Sequence, residues 1–120
     1  MISNVYNKSL ATAQAMNANF STSAQALYQM YGYYITVVVT GTPTGTLKLE
    51  ASADPFDVQD SDYIPTNWDV VGSSSVAITA AGTTSWNVIG AMYNYVRVTY
   101  TDGSAGTSTA TCAIRINAKG

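Results

Sequence analysis

Two segments of this 120-residue chain alternate apolar and polar positions with a period of two. In residues 33–53, Ile35, Val37 and Val39 fall on one side of an extended chain, with Tyr34, Thr36 and Val38 on the other. After Gly41-Thr42-Pro43-Thr44-Gly45, Leu47, Leu49 and Ala51 alternate with Lys48, Glu50 and Ser52. Alternation rich in β-branched residues marks strands that bury one face. The Gly/Pro break marks a turn in which Gly41 and Gly45 can take positive φ, so the segment reads as a β-hairpin. Residues 93–117 repeat the pattern. Tyr95, Arg97 and Thr99 stand against Val96, Val98 and Tyr100. A turn at Asp102-Gly103-Ser104-Ala105-Gly106 follows, and then Ala110, Cys112, Ile114 and Ile116 alternate with Thr111, Ala113, Arg115 and Asn117. The inward set predicts burial of Val37, Val39, Leu47, Leu49, Val96, Val98, Ile114 and Ile116.

Shorter strands are expected around Trp68 and Val70, around Val76 and Ile78, and around Trp86 and Val88. With turns at short intervals and no crossover helix, the chain reads as all-β: an antiparallel, jelly-roll-like sandwich of about eight strands. The first residues differ. Val5, Tyr6 and Leu10 are apolar but form no continuous stripe, so residues 1–12 read as an extended N-terminal arm. The sandwich domain is then residues 13–120, with its first strand near residues 15–21. Ordering such an arm costs roughly 1–2 kcal/mol for each backbone residue. Each apolar side chain returns roughly 1.5–3 kcal/mol at best. The arm is therefore expected to become ordered by docking on a neighbouring subunit; the alternative reading is a packed first strand with a frayed end.

Composition sharpens this picture. Hydrophobic residues make up 47% of the chain, which excludes disorder. No apolar run is long enough for a membrane helix. The N-terminus carries neither a basic nor an apolar signal region, so no secretory signal is expected. Only 10% of residues are charged, against about 25% in an ordinary soluble domain. A chain that omits charge gives up the usual protection against edge pairing and self-association, which fits a life inside an assembly. A net charge of −2 argues against nucleic-acid binding.

Candidate chemistry is sparse. The chain has no histidine, which removes imidazole triads and imidazole metal sites. No phosphate loop or cysteine cluster appears, so neither an enzyme nor a cofactor is expected. The single cysteine, Cys112, shares its strand face with Ile114 and reads as a small buried residue. The acidic connection around residues 54–69 offers Asp57, Asp60 and Asp62 as oxygen ligands for Ca²⁺. It lacks the glycine and distal glutamate of an EF-hand, and no tight metal binding is expected. Trp68 and Trp86 are expected in the core, while Tyr34 and Tyr95, opposite the apolar stripes, are candidate interface residues together with Val5, Tyr6 and Leu10.

The runs YYITVVVTGTPTGTLKLEAS and SWNVIGAMYNYVRVTYTDGSAGTSTATCAIRINAKG resemble a group of small virion proteins of tailed bacteriophages. The likeness rests on the "TGTPTGTLKLEAS" segment, the aromatic strand "YNYVRVTYT" and the terminal "KG", and spans most of residues 20–120. It implies a β-sandwich located in the virion, as capsid decoration, head fibre or tail-associated part. It also implies contact with the major capsid protein or another virion protein and a homo-oligomer, with a trimer favoured. Two other classes remain open: a recognition module binding host-surface glycan, and a generic extracellular β-domain.

Overall fold

The computed structural model describes residues 5–27, 30–55 and 64–120. Among the described residues ten strands follow one another: β1 (Val5–Ala15), β2 (Phe20–Ser21), β3 (Gln25–Ala26), β4 (Gly32–Thr40), β5 (Gly45–Ser52), β6 (Asp69–Val70), β7 (Val76–Ile78), β8 (Gly82–Ile89), β9 (Tyr95–Asp102) and β10 (Thr111–Lys119). One sheet has the order β1-β10-β4-β8. The other runs β2-β9-β5-β6, with β3 also on β9 and β7 also on β5. All pairings are antiparallel.

Taking β2 with β3, and β6 with β7, as interrupted strands gives eight positions in all. The first then pairs with the eighth, the second with the seventh, the third with the sixth and the fourth with the fifth. Two further pairings, β10 with β4 and β9 with β5, join these nested pairs into the two sheets. That is the connectivity of a jelly roll, and the expected fold class is the observed one.

Both expected hairpins are corrected. The strands stand where alternation puts them, but β4 pairs with β10 and β8, while β5 pairs with β9, β6 and β7. The Gly41–Gly45 break is a corner between sheets, and the turn after Asp102 is another. Period two identifies a strand and its buried face; it does not choose the partner. Gly41 does take a positive φ, of 94°. Gly45 is required for a different reason: a Cβ there would collide with the ring and hydroxyl of Tyr100. That hydroxyl donates to the Thr44 carbonyl at 3.2 Å.

The core lies between the sheets. Ile35, Val37, Val39, Ile114 and Ile116 face Leu47, Leu49, Val96, Val98 and Tyr100, and all are buried. The eight expected core residues are among them. Cys112 is buried beside them, and burial pushes its thiol up to about 11. Trp86 is in the core and its indole N–H donates to Ser74 O at 2.9 Å. Trp68 is not; it lies half-buried on the outer face of the second sheet.

The N-terminal segment also departs from expectation. The described part of the expected arm is strand β1, which crosses the boundary between residues 12 and 13 without a break and pairs with β10 from Val5↔Lys119 to Ala15↔Thr111. Its sparse apolar pattern reflects an edge strand with two register shifts, between Ser9 and Ala11 and between Ala11 and Gln14. Each shift moves the apolar residues out of simple alternation. Leu10 and Tyr6 pack against the core of their own chain.

Two measurements check this account. Deleting residues 1–10 should lower the melting temperature by several degrees, because it strips half of β1 from β10; an unchanged melting temperature would return these residues to the status of an arm. A thiol reagent at neutral pH should label Cys112 slowly in the native protein and fully in denaturant, since the thiolate is the reactive form.

Candidate functional site

The two outer faces differ. On the second sheet, Glu50 and Arg97 are directly opposite across β5 and β9, and their side chains form an ion pair at 2.7 Å. The Arg97 guanidinium sits over the Trp68 ring, 4.1 Å from its centroid. The Trp68 indole N–H in turn donates to Pro65 O at 3.0 Å. The beginning of the long connection is held at Asp54. Its carboxylate accepts from Thr66 N at 2.8 Å, Asn67 N at 3.2 Å and Asn67 Nδ2 at 2.9 Å. Its carbonyl accepts from Asn94 Nδ2 at 2.9 Å. Asp54 thus ties the two ends of the connection together. Asp57, Asp60 and Asp62 lie outside the described residues, and no cluster of metal-ligating side chains occurs among the described ones.

Tyr95 is on this same outer face. Alternation places it correctly opposite Val96, but only 7% of it is exposed. The sequence expectation of an exposed interface residue is therefore corrected. Adjacent Asn94 donates to Asp54 O and so holds the start of the connection.

The outer face of the first sheet carries no such cover among the described residues. Its rows follow from the pairing register. Asn7, Asn117, Tyr34 and Asn87 stand side by side across β1, β10, β4 and β8, and the next row is Val5, Lys119, Gly32 and Ile89. Gly32 has no side chain, so a groove of about 710 Å³ opens between these rows and Tyr31. Val5, Tyr31, Tyr34 and Ile89 are all exposed, and Val38 is exposed further along the same face. The charged side chain in these two rows is Lys119, and the row beyond Tyr34 adds Arg115; none of the three rows contains an acidic side chain.

Beneath the groove, the Tyr33 and Tyr93 hydroxyls are hydrogen-bonded to each other, with their rings edge to face. Burial, reinforced by Tyr93, raises the Tyr33 hydroxyl far above its ordinary range. Burial also raises Tyr93, partly offset by the same hydrogen bond. Both stay neutral at physiological pH and act as a fixed floor.

Of the five expected interface residues, the structure brings Val5 and Tyr34 together at this groove. Tyr6 is instead turned inward, its hydroxyl donating to Gln25 Oε1 at 2.8 Å. Leu10 is also packed on the core, and Tyr95 belongs to the other sheet. Sequence reasoning missed Ile89, Asn7, Asn87 and Asn117. Outward parity was readable for Asn87 and Asn117, but their alignment with Tyr34 requires the sheet order.

No family model and no curated protein sequence matches the chain. Among solved structures, the SPBc2 prophage-derived protein YomS is similar at 12% identity and a TM-score of 0.58, covering 100% of this chain and 96% of that one. The coat protein of Tobacco streak virus aligns at 12% identity and a TM-score of 0.46, over 99% of this chain and 85% of its own. The likeness to YomS is one of fold: this chain shares its β architecture with a prophage-derived protein along nearly the full length of both.

Proposed function

We propose that the chain is a virion structural protein, a capsid-decoration or head-fibre component that attaches through the outer face of its first sheet. The observation that carries this reading is the bare face itself. On the second sheet Trp68 stacks on Arg97 and Asp54 ties the ends of the long connection together, whereas Tyr34, Val38, Ile89 and the groove of the first sheet are exposed among the described residues. Aromatic and aliphatic side chains with few charges are what a protein–protein interface core uses. A stable contact needs roughly 1,600 Å² of buried surface in total, and repetition around a particle adds avidity. The fold shared with a prophage-derived protein supports the same reading. The partner is the major capsid protein or another virion protein, with sister copies beside it.

Purified virions of the phage that encodes the chain should contain it in many copies. The pair Tyr34→Ala and Ile89→Ser should lower that copy number several-fold at unchanged melting temperature, since both side chains are exposed. Virions lacking the chain, or retaining the variant at full occupancy, would overturn the assignment.

One observation favours a second reading, host-glycan recognition. Asn7, Asn117 and Asn87 flank Tyr34 in a single row beside exposed Tyr31. Amides that both donate and accept, next to aromatic faces, suit sugar hydroxyls and sugar rings. A glycan-array signal abolished by Asn117→Ala would establish it.

A further inference from the structure

We infer that β8 is an open sheet edge that pairs antiparallel with β8 of a second copy, joining the two first sheets into one continuous eight-stranded sheet across a twofold axis. The inference goes beyond the virion reading and stands whether or not that reading holds.

A sheet edge presents backbone N–H and C=O groups that only another extended chain satisfies in register, and native proteins protect such edges by shortness, charge, proline or bulges. Three of the four edges here are protected. In the second sheet, β2 and β3 on one side have two residues each, while β6 and β7 on the other have two and three. In the first sheet, β1 is long but carries Lys8 and two register shifts.

Edge β8 has none of these devices. It runs for eight residues, Gly-Thr-Thr-Ser-Trp-Asn-Val-Ile, with no charge and no proline. Its register against β4 is unbroken from Gly82↔Val39 to Ile89↔Gly32. Among the described residues, no backbone hydrogen bond reaches residues 82–89 from any element other than β4. The edge is thus continuous and neutral, and its outer side has no backbone partner among the described residues.

The occupant follows from chemistry and parity. The strand has no charge, so a second copy meets it without like-charge repulsion. Directly opposed residues must share a face, which restricts the register of a symmetric pair. Centring the twofold on Trp86 places Ser85 opposite Asn87 of the partner subunit and Thr83 opposite Ile89 of the partner subunit. It also places Thr84 opposite Val88 of the partner subunit on the inner side. That register sets Thr83 of the partner subunit beside Ile89, which is 75% exposed in the single chain. It also gives the isologous contact expected of a twofold, in place of the threefold arrangement that the sequence resemblance implies.

The test is the oligomeric state of the purified full chain by sedimentation velocity at micromolar concentration. The wild type should sediment at twice the chain mass of 12.7 kDa. The variant Ser85→Lys/Asn87→Lys sets lysines directly opposite each other across the axis. Its dimer dissociation constant should rise by about tenfold or more, at an unchanged melting temperature of the monomer fold. An equimolar mixture with Ser85→Glu/Asn87→Glu should recover the dimer, an outcome that misfolding does not produce. Asn7→Lys/Ser9→Lys on β1 should leave the dimer intact. A monomeric wild type, a trimer, a dimer that persists in the Lys variant, failure of the mixture to pair, or dissociation by the β1 variant would each overturn the inference.

Discussion

Mutual burial of the inner faces of β4 and β10 against β5 and β9 is the interaction on which everything else rests. These four strands occupy the centres of the two sheets. Each long alternating segment contributes one strand to each sheet: β4 then β5, and β9 then β10. The chain therefore cannot bury either segment without bringing both sheets together. At roughly 25 cal/mol for each Å² of apolar surface removed from water, this shared interior is the main favourable contribution. The corners are built to serve it. Gly41 turns the chain with a positive φ, and Gly45 leaves room for the Tyr100 ring that closes that end of the core.

This constraint also sets what the sequence could reveal. Central strands have neighbours on both sides and a fully buried inner face, so their alternation is complete and easily read. Val37, Leu49, Val98 and Ile116 were legible for that reason. The edges other than β8 are half-buried and interrupted, which leaves β1 looking like an arm and splits two others into pieces of two or three residues. Pairing was not legible at all, because the same alternation fits a hairpin within one sheet or a corner between two. The candidate site suffered most from this. Tyr34 was readable as outward, but the row it forms with Asn7, Asn117 and Asn87 exists only once β1, β10, β4 and β8 are set side by side. Tyr95 fails for the opposite reason, since parity gave its face correctly but not its burial there.

The low charge content acquires a location in the structure. On the second sheet, the Arg97–Glu50 pair and the Trp68 ring neutralise and cover one another. Asp102 is likewise used locally. Hydrogen bonds from the Ser104 hydroxyl and backbone and from Gly106 N lower its carboxyl below the ordinary range and hold the corner before β10. Four charged side chains, Glu50, Arg97, Asp54 and Asp102, are thus committed to contacts within the chain. The β8 edge is left to threonine, serine, asparagine and apolar residues, which neither repel a partner nor demand a counterion, while the first sheet's outer face sets Arg115 and Lys119 among tyrosine, asparagine and aliphatic side chains.

Face and edge meet at Asn87 and Ile89, and that adjacency couples the two contacts. Pairing at β8 would continue the row Asn7–Asn117–Tyr34–Asn87 directly into Ser85 of the partner subunit. Two outer faces then become one surface related by a twofold, with a groove toward each end. Attachment through such a surface is bivalent, so that the second contact forms at the effective concentration set by a rigid sheet rather than by a flexible linker. A weak contact at each groove is then enough for firm attachment, which suits a face that offers shape and apolar surface but little charge.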